Sequence, residues 1–82
     1  MTDKITVYST PWCGYCKRLK TQLDREGIEY TEVDIEQDPE AAKIVMAVNN
    51  GNQTVPTVTG FPSGRALTNP SVAQVKAELA AA

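Results

Sequence analysis

A chain of 82 residues, 41% hydrophobic and 22% charged, has room for one hydrophobic core and is expected to form one folded unit over residues 1–82. Its net charge of −2 leaves no basic field to gather phosphates, which excludes nucleic acid as an expected partner, and no apolar run approaches the ~20 residues a membrane span needs. The Met1-Thr2-Asp3-Lys4 start lacks the charged and apolar regions of a secretion signal, so the expected location is the cytoplasm. Residues 4–9 (KITVYS) are β-branched or aromatic at most positions and predict a first strand, which Thr10-Pro11 interrupts. From Gly14 to Glu26 the pattern is helical, with Cys16, Leu19 and Leu23 as its inner members and Gly27 as its stop.

Residues 28–35 (IEYTEVDI) predict a second strand with Ile28, Tyr30, Val33 and Ile35 as apolar members. Asp38-Pro39 is a helix start, an Asp cap followed by Pro at the first helical position. The second helix is expected to run to about Val48 with Ala41, Ile44, Val45 and Val48 inward, and Asn49-Asn50-Gly51-Asn52 ends it with turn chemistry. Thr57–Thr59 predicts a short third strand, residues 60–64 a turn, and Arg65–Leu67 a weak fourth strand. Asn69-Pro70 repeats the cap-plus-proline signal ahead of a last helix to about Ala80, with Val72, Val75 and Leu79 inward and a fraying tail. The order β-α-β-α-β-β-α predicts an α/β fold. Its first β-α-β unit should be a right-handed parallel crossover and its last two strands an antiparallel hairpin, within a four-stranded mixed sheet flanked by helices.

The chemistry concentrates in Trp12-Cys13-Gly14-Tyr15-Cys16, which holds both cysteines of the chain. Thiols three positions apart at a helix start lie about 5–6 Å apart at Cβ, close to what a disulfide needs. Free N–H groups and the helix dipole favour a thiolate at Cys13. A permanent staple is disfavoured, because so short a loop constrains little of the unfolded chain and the cytoplasm keeps thiols reduced. With no histidine, neither a four-ligand zinc site nor a Cys–His nucleophile pair is expected, and no metal is assigned.

A Cys-x-x-Cys that follows a strand and opens a helix, combined with Thr54-Val55-Pro56 ahead of the third strand, resembles the glutaredoxin class of the thioredoxin superfamily over nearly the whole chain. More narrowly, TVYSTPWCGYCKRLKTQL, VDIEQDPEAA, VNNGNQTVPTV and LTNPS are similar to the mycoredoxins, glutaredoxin-like proteins of actinobacteria. The resemblance implies the thioredoxin/glutaredoxin fold and a thiol–disulfide oxidoreductase acting on mixed disulfides between a low-molecular-weight thiol, mycothiol, and proteins or small molecules. It implies Cys13 as nucleophile, Cys16 as the partner of an alternative dithiol route, a cis bond before Pro56, and a protein that works as a monomer without a tightly bound cofactor. Tyr15, Thr54, Val55, Pro56, Asn69 and Ser71 match positions where the family binds its small thiol.

Glutathione-using members commonly carry a lysine where Thr10 stands and a Gly-Gly pair where Thr68-Asn69 stands, so glutathione is the less expected thiol. Two alternatives stay open. One is a redoxin electron donor reduced by thioredoxin reductase, although its usual Ser-Gly-Phe-Arg-Pro stretch is replaced by LTNPS. The other is an iron–sulfur cluster carrier, which Gly14 keeps open. Trp12 is read as a groove, core or protein-docking residue, and Lys17 and Arg18 as either substrate-facing charges or a solvated helix face.

Overall fold

The computed structural model describes residues 5–81; the expected strand start at Lys4 and the terminal Ala82 lie outside the described residues. Strand β1 (Ile5–Ser9) alternates its side chains between the two sheet faces, as any strand must. Ile5 and Val7 join one apolar cluster, and Tyr8 joins another. The helices divide accordingly. Leu19 and Leu23 of α1 (Gly14–Arg25) and Val75 of α3 (Val72–Ala80) pack with Ile5, Val7, Val58 and Phe61. On the other face Ala41, Ala42 and Val45 of α2 (Pro39–Val48) pack with Tyr8 and Ile35. β1 is thereby covered on both faces, and each of its fully buried apolar side chains contributes about 1.5–3 kcal/mol.

β2 (Tyr30–Asp34), β3 (Thr57–Thr59) and β4 (Leu67–Thr68) complete a four-stranded sheet of order β2-β1-β3-β4. β1 pairs parallel with β2 and antiparallel with β3, and β3 pairs antiparallel with β4. This is the mixed sheet expected from the element order. Gly27, at φ 69°, ends α1 in the left-handed conformation that glycine adopts without strain.

Three expectations need correction. Ile44 and Val48 are 45% and 39% exposed, whereas Ala42 is buried. At ~100° per residue the stripe facing the sheet is centred between Ala41, Val45 and Ala42, and Ile44 falls on its flank. The fourth strand is Leu67–Thr68 rather than Arg65–Leu67, because Arg65 still belongs to the turn: Gly64 has φ 81° and the Arg65 N–H donates to Ser63 Oγ. Finally, Asn69 does not cap the last helix. Ser71 does, its hydroxyl accepting from the Gln74 N–H while the Gln74 side chain accepts from the Ser71 N–H. That reciprocal pair satisfies two otherwise orphaned donors. Asn69 sits at φ 47°, a conformation asparagine tolerates better than most residues.

Candidate functional site

The register gathers the site at one edge of the sheet. Ser9 at the end of β1 stands opposite Asp34 at the end of β2, Tyr8 opposite Thr57 at the start of β3, and Thr57 opposite Thr68 at the end of β4. The segments that leave these positions meet around the cysteines. In lateral order they are the turn after β2, the 10–13 loop after β1, the 54–56 loop before β3, and the 69–71 link after β4.

Cys13 is the N-cap of α1, with extended backbone (φ −82°, ψ 107°). Its Sγ accepts a hydrogen bond from the Cys16 N–H at 3.1 Å. The Cys-x-x-Cys spacing coincides with the spacing from N-cap to third helical residue, so the sulfur does what a capping hydroxyl does elsewhere. The helix dipole adds to this, and both favour negative charge on that sulfur. The two cysteines are joined as a disulfide with Cα atoms 5.2 Å apart. They are not equivalent: Cys13 is 4% exposed and Cys16 0%, on the inner face shared with Leu19 and Leu23.

Val55–Pro56 is a cis peptide bond, as the resemblance implies, and the Val55 carbonyl oxygen lies 3.8 Å from Cys13 Sγ. The loop is held from behind by residues to which sequence reading gave no such role. Thr57 Oγ1 donates to the Thr54 carbonyl at 2.7 Å; Asn49 Nδ2 donates to Thr57 Oγ1 at 3.1 Å and to the Val45 carbonyl; Thr68 Oγ1 donates to Asn49 Oδ1 at 2.6 Å. The Asn69 N–H adds a bond to the Pro56 carbonyl at 2.7 Å. Asn49 thus links α2, β3 and β4 behind the Val55–Pro56 bond. Its only sequence signal was its place in a turn cluster, which carries no information about long-range partners.

Tyr15, Asn69 and Ser71 line a groove of about 320 Å³ together with Arg18, Gln22 and Gln74, on the β4 side of the cysteines. Thr54 does not line it, and its carbonyl is engaged by Thr57. Lys17 and Arg18 part company. Lys17 lines a separate cavity of about 330 Å³ with Ser9, Thr10, Lys20, Glu32 and Asp34. There the Lys20 ammonium bonds the Glu32 carboxylate, and Ser9 Oγ donates to it at 2.8 Å. The lysine bond above all, then the serine, holds the Glu32 carboxyl below its ordinary value against the opposing effect of burial. Thr10 is 6% exposed and its hydroxyl finds no partner among the described residues. Tyr15 and Trp12 are 66% and 70% exposed, so neither is a core aromatic. The Trp12 indole N–H donates to Glu36 Oε2 at 2.8 Å. Glu36 carried no signal in the sequence, since nothing marks a surface glutamate as the neighbour of a residue in another loop.

A vicinal cysteine pair at a helix start, facing a cis-proline loop at the end of a mixed sheet, defines a thiol–disulfide oxidoreductase of the thioredoxin fold. The thioredoxin-like protein BC3987 superposes on it with a TM-score of 0.75 and 25% identity over 93% of this chain and 100% of that one. The Glutaredoxin family model matches residues 5–60, and the chain belongs to the glutaredoxin family. It is 46% identical to Mycoredoxin 1 of Corynebacterium glutamicum, over 96% of each chain. It is 56% identical to a Mycobacterium tuberculosis protein that carries a provisional glutaredoxin name, over 96% of this chain and 93% of that one. Among the described residues no helix is long and apolar enough to cross a membrane.

Proposed function

We propose that this protein reduces mixed disulfides between a low-molecular-weight thiol and proteins or small molecules, with Cys13 as nucleophile and mycothiol as the small thiol. One observation carries the choice of Cys13: its sulfur caps α1, accepting the Cys16 N–H at 3.1 Å, and faces the Val55 carbonyl, whereas Cys16 is wholly buried. In the reduced enzyme the Cys13 thiolate attacks the small-thiol sulfur of the mixed disulfide. A bond forms between Cys13 Sγ and that sulfur, the bond to the protein sulfur breaks, and the protein thiolate leaves and takes a proton from solvent. A second small thiol, as its thiolate, attacks the captured sulfur and releases Cys13 as thiolate together with a symmetrical small-molecule disulfide. Cys16 offers a second route: as a thiolate it attacks Cys13 Sγ of the captured mixed disulfide, the Cys13–Cys16 bond forms, the bond from Cys13 to the small thiol breaks, and the small thiol leaves.

The groove lined by Tyr15, Asn69 and Ser71 is suited to hold the small thiol. The backbone of Val55, presented by Thr54 and Pro56, is available to pair with its peptide-like part in strand fashion. Thr10, buried and uncharged, cannot supply a cation for a glutathione carboxylate. That, with the likeness to Mycoredoxin 1, supports mycothiol over glutathione. The working protein is a monomeric single unit of the cytoplasm, with the thiol as co-substrate and no tightly bound cofactor.

The test is coupled turnover of a capped substrate with three separate supplies of electrons: mycothiol and its disulfide reductase, glutathione and its reductase, and thioredoxin reductase. The mycothiol system should support the highest kcat/KM. Preferential turnover with thioredoxin reductase would overturn the proposal.

A further inference from the structure

We propose that Glu36 is a positioning residue that holds Trp12 as the contact for the polypeptide half of a mixed disulfide. The proposal rests on the mixed-disulfide reading above and adds the surface on which the protein substrate lies. Trp12 is the chain's one tryptophan and immediately precedes Cys13. It is 70% exposed, yet its ring is not free, because the indole N–H is bonded to Glu36 Oε2 at 2.8 Å. Glu36 is itself anchored. Its N–H donates to Asp34 Oδ1 at 2.9 Å, and the Gln37 N–H donates to the Asp34 carbonyl at 3.1 Å, so the turn that carries the carboxylate is closed twice. A large apolar ring that is mostly exposed, next in the chain to Cys13 and tied by its N–H to another loop, contributes little to the core. It has the properties of an interface anchor, with much contact area and little rotamer freedom left to lose on binding.

The topology says which half of the substrate it meets. In the order β2-β1-β3-β4, Glu36 follows one edge strand and Asn69 follows the other. The Tyr15–Asn69–Ser71 groove and the Trp12–Glu36 pair therefore flank Cys13 on opposite sides. A mixed disulfide presents two halves joined at adjoining sulfurs. With the small half in the β4-side groove, the polypeptide half extends over the β2 side, where the indole stands. Glu36 touches neither sulfur and acts through Trp12.

The experiment compares two mixed disulfides of the same small thiol, one with a cysteine-containing peptide and one with 2-mercaptoethanol. Glu36→Ala should raise KM for the peptide substrate about fivefold with kcat nearly unchanged, while KM for the mercaptoethanol substrate moves less than about twofold. Glu36→Gln, whose amide oxygen still accepts the indole N–H, should restore most of the loss. Trp12→Ala should match Glu36→Ala on the peptide, and the double variant should be no worse than either, the signature of one shared contact. Steady-state fluorescence anisotropy of the single tryptophan in the reduced protein should fall in Glu36→Ala and return in Glu36→Gln. Equal KM changes for both substrates, no change for either, additive losses, or unaltered anisotropy would each overturn the proposal. If the wild-type protein turns over neither substrate, the mixed-disulfide reading fails and the substrate half of this proposal with it, and the anisotropy arm alone then decides whether Glu36 holds Trp12.

Discussion

The Cys13 sulfur sits at the helix cap and accepts the Cys16 N–H, while the Cys16 side chain is sealed on the inner face of α1. Once the disulfide is reduced, the Cys13 sulfur is the one placed where the helix end stabilises negative charge. Cys16→Ser should retain mixed-disulfide reduction within about threefold of wild type, because the monothiol route needs only a nucleophile and free small thiol. Cys13→Ser should abolish it. A Cys16→Ser protein as dead as Cys13→Ser would mean that the intramolecular disulfide is obligatory, and turnover with the mycothiol-coupled system reads the difference. That the two thiols share a helix start was legible from the spacing and the pattern after it, whereas their unequal roles were implied only by the resemblance. The holder of Trp12 was not legible. Glu36 is twenty-four positions away, and an exposed carboxylate carries no mark of its partner.

At the scale of elements, the Val55–Pro56 loop depends on a link between α2, β3 and β4. Asn49 joins them, with its amide donating to the Val45 carbonyl and Thr57 Oγ1 and its carbonyl accepting from Thr68. Asn49→Ala should destabilise the protein by about 1–2 kcal/mol, the cost of losing partly buried hydrogen bonds without replacement. The urea midpoint should fall with an unchanged slope. Asn49→Asp should cost more, because a carboxylate would face the Val45 carbonyl oxygen. Element type and order were readable throughout, from β-branched runs, the Asp38-Pro39 start and the glycine stop after α1. Boundaries and faces were less so. The last helix is capped by Ser71 because the serine and Gln74 bond each other reciprocally, which outweighs the Asn69-Pro70 signal. Ile44 and Val48 face water because the sheet accepts the small Ala41–Ala42 face of α2.

At the scale of the whole molecule, one charged cluster ties α1 to the sheet beside the site: Lys20 of α1, Glu32 of β2 and Ser9 of β1. The Lys20 ammonium bonded to it, and after that the Ser9 hydroxyl, hold the Glu32 carboxyl below the ordinary carboxylate range against the opposing effect of burial. Its folded pKa is depressed, so the unfolded chain binds the proton more readily. The stability Glu32 contributes is complete above the ordinary carboxylate range and is lost as pH falls through the folded value. Glu32→Gln should therefore flatten part of the acid-side loss of stability below about pH 5. At neutral pH it should cost under about 1 kcal/mol, since the pair is part-exposed and screened. Unfolding midpoints of both proteins from neutral to acid pH check the sign, and parallel curves would show that the cluster adds nothing.

By itself the sequence determined the local chemistry of this protein. It set which segments are helix or strand, that two thiols share a helix start, and that a proline-bearing loop precedes the third strand, because these follow from periodicity, capping and spacing within a few residues. Only the tertiary structure decided what meets what. The sheet order β2-β1-β3-β4 brings the ends of β1, β2 and β4 and the start of β3 to one edge. It sets the Val55 carbonyl 3.8 Å from Cys13 and separates the Asn69 groove from the Trp12–Glu36 pair. Those neighbours are fixed by strand pairing and by packing on both sheet faces, interactions between residues far apart in the chain that no local pattern encodes.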